Sequence, residues 1–161
     1  MKKKLLLFFG VTLALITIFA ACTPFDADRG EYWNGTRMDA LNYSQYVNKE
    51  LATVMNQLET RMANAELLKT NGLMVEDEIK YTEISLGLID EAINTVEKVR
   101  PPEMYDDDRE ATLQCMRDAR NSVSQYVQYL KSGNTDKLSD YISDMQLRFS
   151  ALSARFNNWT Q

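Results

Sequence analysis

The sequence predicts an all-α chain, an antiparallel up-down four-helix bundle behind a signal peptide and a short tether. Three observations carry that expectation. Apolar residues recur at alternating steps of three and four over four long segments, the spacing of one face of a helix. The segments are divided by brief turn signals, Asn71-Gly72, Pro101-Pro102 and Ser132-Gly133, and short connections favour antiparallel neighbours. Only six Gly and three Pro occur in 161 residues, with 45% hydrophobic and 25% charged side chains. That is too few breakers for an all-β fold and too much apolar content for a disordered chain.

The first segment reads as an address. Lys2, Lys3 and Lys4 are followed by an apolar run from Leu5 to Phe19, interrupted only by Gly10, Thr12 and Thr17, and then by Ala20, Ala21 and Cys22. A basic start, a short apolar centre and small residues before a cut form a signal-peptide layout. The run is about 15 residues, short of the roughly 20 that cross a bilayer as a helix. Phe19-Ala20-Ala21-Cys22 resembles the lipobox of bacterial lipoproteins, differing at Phe19, where Leu is usual. The resemblance implies that the Cys22 thiol carries a diacylglyceryl group and that Cys22 becomes the N-terminus after cleavage. The other reading is an uncleaved signal anchor with an incidental Cys. Thr23, not Asp, follows Cys22. By the sorting pattern of that family this permits the outer membrane in a diderm source. Loss of the three lysines leaves 15 basic residues against 23 acidic ones, so the net charge moves from −5 to −8. Such a domain is repelled by anionic headgroups, and the lipid has to hold it.

The expected organisation is a signal peptide over 1–21, a lipid-anchored tether over 22–38 and a bundle over 39–161. Pro24, Asp26, Asp28, Gly30, Asn34 and Gly35 break any periodicity in the tether. Tyr32 and Trp33 are expected on the membrane interface or against the end of the bundle. Helix one is predicted from Asp39, as N-cap, to Lys69. Its stripe is Val47, Leu51, Val54, Leu58, Met62, Ala65 and Leu68, stopped by Asn71-Gly72. Helix two is predicted over Val75–Arg100. Val75, Ile79, Thr82, Leu86, Ile89, Ile93 and Val96 form its stripe, with Glu76, Asp77 and Glu78 at the positive end of the helix dipole. Pro101-Pro102 ends it, because proline lacks the amide and restricts the residue before it.

Helix three is predicted over Asp106–Lys131, after a short turn at Pro102–Tyr105. Its stripe is Leu113, Met116, Ala119, Val123, Tyr126 and Leu130. Helix four is predicted over Asp136–Trp159 with Asn134 or Thr135 as cap. Its stripe is Leu138, Ile142, Met145, Phe149, Leu152, Phe156 and Trp159. The 3.5-residue period predicts left-handed packing near +20°. Leu86, Ile89, Ile93, Phe149, Leu152 and Phe156 are expected in the core, and Glu97, Lys98, Asp140 and Arg148 on the surface.

The composition excludes several chemistries. The chain has no His, which removes Ser/His/Asp and Cys/His nucleophile pairs, His-ligated zinc and the Glu-x-x-His pairs of di-iron bundles. A net negative charge argues against a nucleic-acid module. Cys115, the one thiol besides Cys22, has no neighbouring base and reads as structural. Asp106-Asp107-Asp108 reads as helix-dipole charge, not as a calcium loop, which spreads its ligands around a turn. Met55, Met62, Met74, Met104, Met116 and Met145 are dispersed and read as core filling, not as thioether copper ligands. No two Glu are expected at inward positions, so no metal, cofactor or catalytic residue is assigned.

Val99-Arg100-Pro101-Pro102-Glu103 and the turn Lys131-Ser132-Gly133-Asn134-Thr135-Asp136-Lys137-Leu138 resemble small helical lipoproteins of unknown function. These come mostly from Gram-positive bacteria and their mobile elements. The resemblance implies no site residues, and this chain lacks the His often seen after the Pro-Pro-Glu turn. The expectation is a non-enzymatic, lipid-anchored protein on the extracytoplasmic face of a membrane, binding another envelope protein and no nucleic acid. The alternatives are a mobile-element lipoprotein of superinfection exclusion or immunity, and an extracytoplasmic ligand-binding or sensor module.

Overall fold

The computed structural model describes residues 39–159, together with the backbone of a two-residue antiparallel pair, β1 (Phe25–Asp26) with β2 (Glu31–Tyr32). The signal segment, Cys22, Trp33 and the side chain of Tyr32 lie outside the described residues. Four α-helices follow in sequence: α1 (Ala40–Lys69), α2 (Val75–Lys98), α3 (Asp106–Lys131) and α4 (Leu138–Trp159). A 3₁₀ turn at Glu103–Tyr105 leads into α3. Each helix packs on its sequence neighbours, α4 closes the ring on α1, and α1 meets α3 across the diagonal. This is the all-α four-helix arrangement expected from the stripes.

The helix ends follow from local chemistry. Asp39 caps α1, its carboxylate accepting from the Asn42 amide at 3.0 Å, which satisfies one of the amides without an intrahelical partner. At the other end Asn71 takes the left-handed conformation, φ 55°, and the Gly72 amide reaches back to the Leu67 carbonyl at 2.8 Å. With Asn71 N–H on Leu68 O this is a Schellman closure. Asn, not Gly, supplies the left-handed residue. Helix α2 stops at Lys98, two residues short of Arg100. Val99 is already extended and buried, as suits a chain about to enter Pro101. Helix α4 starts at Leu138, two residues beyond the expected Asp136, and neither Asn134 nor Thr135 caps it. The Tyr129 hydroxyl organises that turn, donating to Asp136 Oδ1 at 2.7 Å and accepting from Lys137 N at 2.6 Å.

The core runs the length of the ring. Helix α1 contributes Val47, Leu51, Val54, Leu58, Ala65 and Leu68, and α3 contributes Leu113, Met116, Ala119, Val123, Tyr126 and Leu130. Helix α4 sends one residue per heptad fully inward: Leu138, Met145, Leu152 and Trp159. Ile142, Phe149 and Phe156, the other half of that stripe, are half-buried against the core, as is Leu86 on α2. Phe149, Phe156 and Leu86 are therefore corrected from core to flank, whereas Ile89, Ile93 and Leu152 are buried. Glu97, Lys98 and Asp140 are exposed. Arg148 is half-buried, held by Asp144 at 3.2 Å and facing Asp118 at 3.8 Å.

One end of the bundle is closed by aromatic rings. Tyr43, Tyr105 and Trp159 meet with centroids 4.9 to 6.1 Å apart. The Trp159 indole N–H donates to Thr112 Oγ1 at 3.2 Å, giving the buried ring the partner it needs. This is the end at which the chain enters α1.

Candidate functional site

Two places in the molecule carry more than packing. One is a polar cluster inside the ring. Helix α1 points Arg61 inward and α2 points Glu78 and Thr82 to meet it; all three are buried. Arg61 Nη1 donates to Glu78 Oε2 at 3.0 Å, and Asn64 Nδ2 donates to the same oxygen at 2.6 Å. The Thr82 hydroxyl lies 3.1 Å from Glu78 Oε1 and 2.7 Å from the Glu78 carbonyl, and can donate to either. Tyr126 of α3 turns its hydroxyl toward Glu78 without reaching hydrogen-bond geometry. One helical turn along α2, Ser85 donates to Gln57 Oε1 at 2.8 Å.

The electrostatics of this cluster are those of desolvation. Burial pushes the Glu78 carboxyl above its ordinary value, and Asn64, Arg61, Thr82 and Tyr126 pull it back only in part. Burial and the Glu78 charge push the Tyr126 phenol up. Arg61 Nε finds no acceptor. Glu78 is fully buried, so a substrate would have to displace core side chains to reach it. What the cluster does is tie α1 to α2 at one register.

It also corrects two expectations. Glu78 and Glu50 are both inward and buried, against the expectation that no two Glu sit at inward positions. They are not a metal pair, however. Glu50 shares a groove with Ala92, 14 residues along α2 from Glu78, about 21 Å at 1.5 Å per residue. Arg61 takes the core position expected for Met62, which is half-buried. The signal was present: a step of three from Leu58 lands on Arg61. On α2 the row Glu78, Thr82, Ser85, Ile89, Ala92, Val96 is as regular as the apolar row one residue away. Arg61 and Glu78 pair with one another, and Asn64 and Thr82 add hydrogen bonds to the carboxylate, which makes the polar row tolerable inside.

The second place is an outer face. The exposed ion pairs between helices bridge α2 to α3, as in Arg120–Asp90 at 3.0 Å, Arg117–Glu97 at 2.7 Å and Lys131–Glu83 at 2.6 Å. They also bridge α3 to α4, as in Arg155–Asp108 at 3.7 Å. Along the α1–α2 seam the surface is different. Tyr81, Ile84 and Leu88 stand at helical spacing on α2 with exposures of 48, 63 and 39%. Beside them on α1 lie Thr53, Asn56 and Thr60, all uncharged. The threonine hydroxyls bond back to the Lys49 and Asn56 carbonyls, at 3.2 and 2.8 Å, so their polar atoms are already satisfied. A groove of about 280 Å³ continues the face past Leu88, lined by Tyr46, Lys49, Thr53, Glu91 and Thr95 among others. A second groove, about 450 Å³, lies between α1 and α4 beside Met62, Ile142 and Phe149. Each is lined by two helices and open to solvent.

The remaining sequence candidates are placed as follows. Cys115 is half-buried against the core. Asp106, Asp107 and Asp108 occupy the exposed first turn of α3. Met116 and Met145 are core, Met55 and Met62 flank it, and Met74 and Met104 are exposed. Among the described residues no three His, Cys, Asp or Glu side chains gather as a metal site, and no helix is long and apolar enough to cross a membrane. Comparison with protein-family models, curated proteins and solved structures returns no match.

Proposed function

We propose that the chain is a non-enzymatic lipoprotein, anchored through Cys22 on the extracytoplasmic face of a membrane, whose bundle mediates protein–protein interaction through its α1–α2 face. The observation that carries the reading is the row Tyr81, Ile84 and Leu88, exposed on a helix whose other side already supplies the core. Contiguous exposed apolar residues of this kind mark contact surfaces. Tyrosine at the head of the row suits an interface, with one apolar end and one polar end. The anchor reading rests on Lys2–Lys4, the apolar run and Phe19-Ala20-Ala21-Cys22.

The test is cross-linking of the full chain in membranes, comparing wild type with Ile84→Glu and with Leu147→Glu. Leu147 is equally exposed, at 61%, but lies alone among Ser143, Asp144 and Ser150 on α4. Adducts lost with Ile84→Glu and kept with Leu147→Glu support the α1–α2 face. Adducts unaffected by both substitutions refute it.

A further inference from the structure

We infer that the α1–α2 face is built to receive a second copy of this chain, packed antiparallel about a two-fold axis through the middle of the seam. The inference rests on the reading that this face is the contact surface and names its occupant.

Three observations share one centre. On α2, Tyr81 and Leu88 flank Ile84, so a two-fold near residue 85 sets Tyr81 of one copy against Leu88 of the other. It brings the two Ile84 side chains together. On α1 the uncharged positions Thr53, Asn56 and Thr60 are centred near residue 57. The Gln57–Ser85 hydrogen bond, 2.8 Å, fixes that point at the level of residue 85. Both halves of the face are thus symmetric about the same level, as an isologous contact requires.

Charge agrees with this. Lys80 and Glu91 lie on the same outer flank of α2, five and six residues either side of the centre. An antiparallel two-fold brings Lys80 of each copy, which pairs with Asp77 of its own helix at 3.5 Å, to Glu91 of the other. A parallel pair would leave Lys80 of one copy about 16 Å along the helix axis from Glu91 of the other. For a chain of net charge −5, a contact in which basic and acidic residues of the two copies meet lowers the electrostatic cost of association. Gly87 adds a further reason. It sits inside α2, next to Ile84 and Glu91 on the helix surface, and a Cβ there would meet nothing within 4 Å. Glycine is among the poorest helix formers, and no contact within the bundle requires it here; without a side chain it leaves room for a second helix to approach.

Size sets the strength. The seam from Met74 to Thr95 is about 32 Å long at 1.5 Å per residue, and two helices are about 20 Å wide, so the face spans roughly 600 Å². A standard stable complex covers roughly 800 Å² per partner. The pair is therefore reversible in dilute solution, and confinement of both copies to one surface raises its occupancy.

The experiment is disulfide trapping of the full chain in membranes, on a Cys115→Ser background that gives no cross-link itself. Lys80→Cys and Glu91→Cys are expressed singly and together, then oxidised with copper phenanthroline. The two-fold predicts a dimer when both variants are present and none with either alone. Lys80 and its own copy stand about 16 Å apart in this arrangement by helix rise, too far for a disulfide. Adding Ile84→Glu to both chains abolishes the trapped dimer while the helical circular dichroism is kept. A dimer from Lys80→Cys alone would overturn the antiparallel arrangement. No dimer from the mixed pair would overturn self-association. If the adducts sensitive to Ile84→Glu persist in that last case, the contact face stands and its occupant is another protein.

Discussion

At the scale of the residue, the Arg61–Glu78 pair decides most. Both side chains are buried, and each removes from water a charge that only the other can offset. Continuum and mutational arguments agree that such pairs add little net stability, but that breaking one leaves an uncompensated charge. Arg61→Met should therefore cost about 3–5 kcal/mol near neutral pH, read by urea unfolding. The double variant Arg61→Met/Glu78→Leu should recover most of that loss; a double variant as unstable as the sum of the singles would show that the pair is not coupled. The pH dependence follows from Glu78. Its native pKa is raised above the ordinary 4.5, with burial as the largest cause. Between the unfolded and native values the native state holds more protons, so stability from this group falls as pH rises through that window. The stability of wild type relative to Glu78→Gln should be constant below about pH 4 and decline as pH rises through that window. A difference flat with pH would mean that the carboxyl is not desolvated.

At the scale of the element, most boundaries were readable because they rest on local chemistry. Asp39, Asn71-Gly72 and Pro101-Pro102 act through capping, left-handed backbone and the missing proline amide, all of which are visible in a few adjacent letters. Helix α2 stops early on local grounds, ahead of Pro101, whereas the start of α4 waits for a side chain on another helix, the Tyr129 hydroxyl. The rotation of α2 was not readable for the same reason. Its apolar and polar rows are equally regular, and only Arg61 on another helix selects the polar one. Helix α4 shows how a good stripe still divides. Leu138, Met145, Leu152 and Trp159 are inside, while Ile142, Phe149 and Phe156 sit at the edge. Leu152→Ala should cost about 2–5 kcal/mol, the range for a buried Leu whose site cannot collapse, and Phe149→Ala should cost less per atom removed. Equal and small losses at both positions in thermal unfolding would mean that the row does not pack as described.

At the scale of the whole molecule, Tyr81, Ile84 and Leu88 already lie off the apolar row of α2 in the letters, and what was not legible is that the uncharged Thr53, Asn56 and Thr60 of α1 would stand beside them. The proposed anchor is the reverse case, resting on the residues around Cys22 alone. A rod about 45 Å long, the span of α1 by helix rise, begins at Asp39 at the aromatic end, beside Tyr43 and Trp159. An acidic bundle has no electrostatic reason to stay on an anionic bilayer. A single acyl chain holds a protein only marginally, while two or more give stable attachment. Membrane association should therefore depend wholly on Cys22. In fractionated cells the wild-type chain should sediment with membranes, resist high-salt washing and incorporate labelled palmitate. Cys22→Ser should lose the label and either appear in the soluble fraction or persist as the longer, uncleaved precursor. Salt sensitivity of the wild type would point to charge instead of lipid. A Cys22→Ser chain that is processed and still sediments like wild type, with no acyl label on either, would remove the lipoprotein reading and leave the bundle to be held at the membrane by its partner.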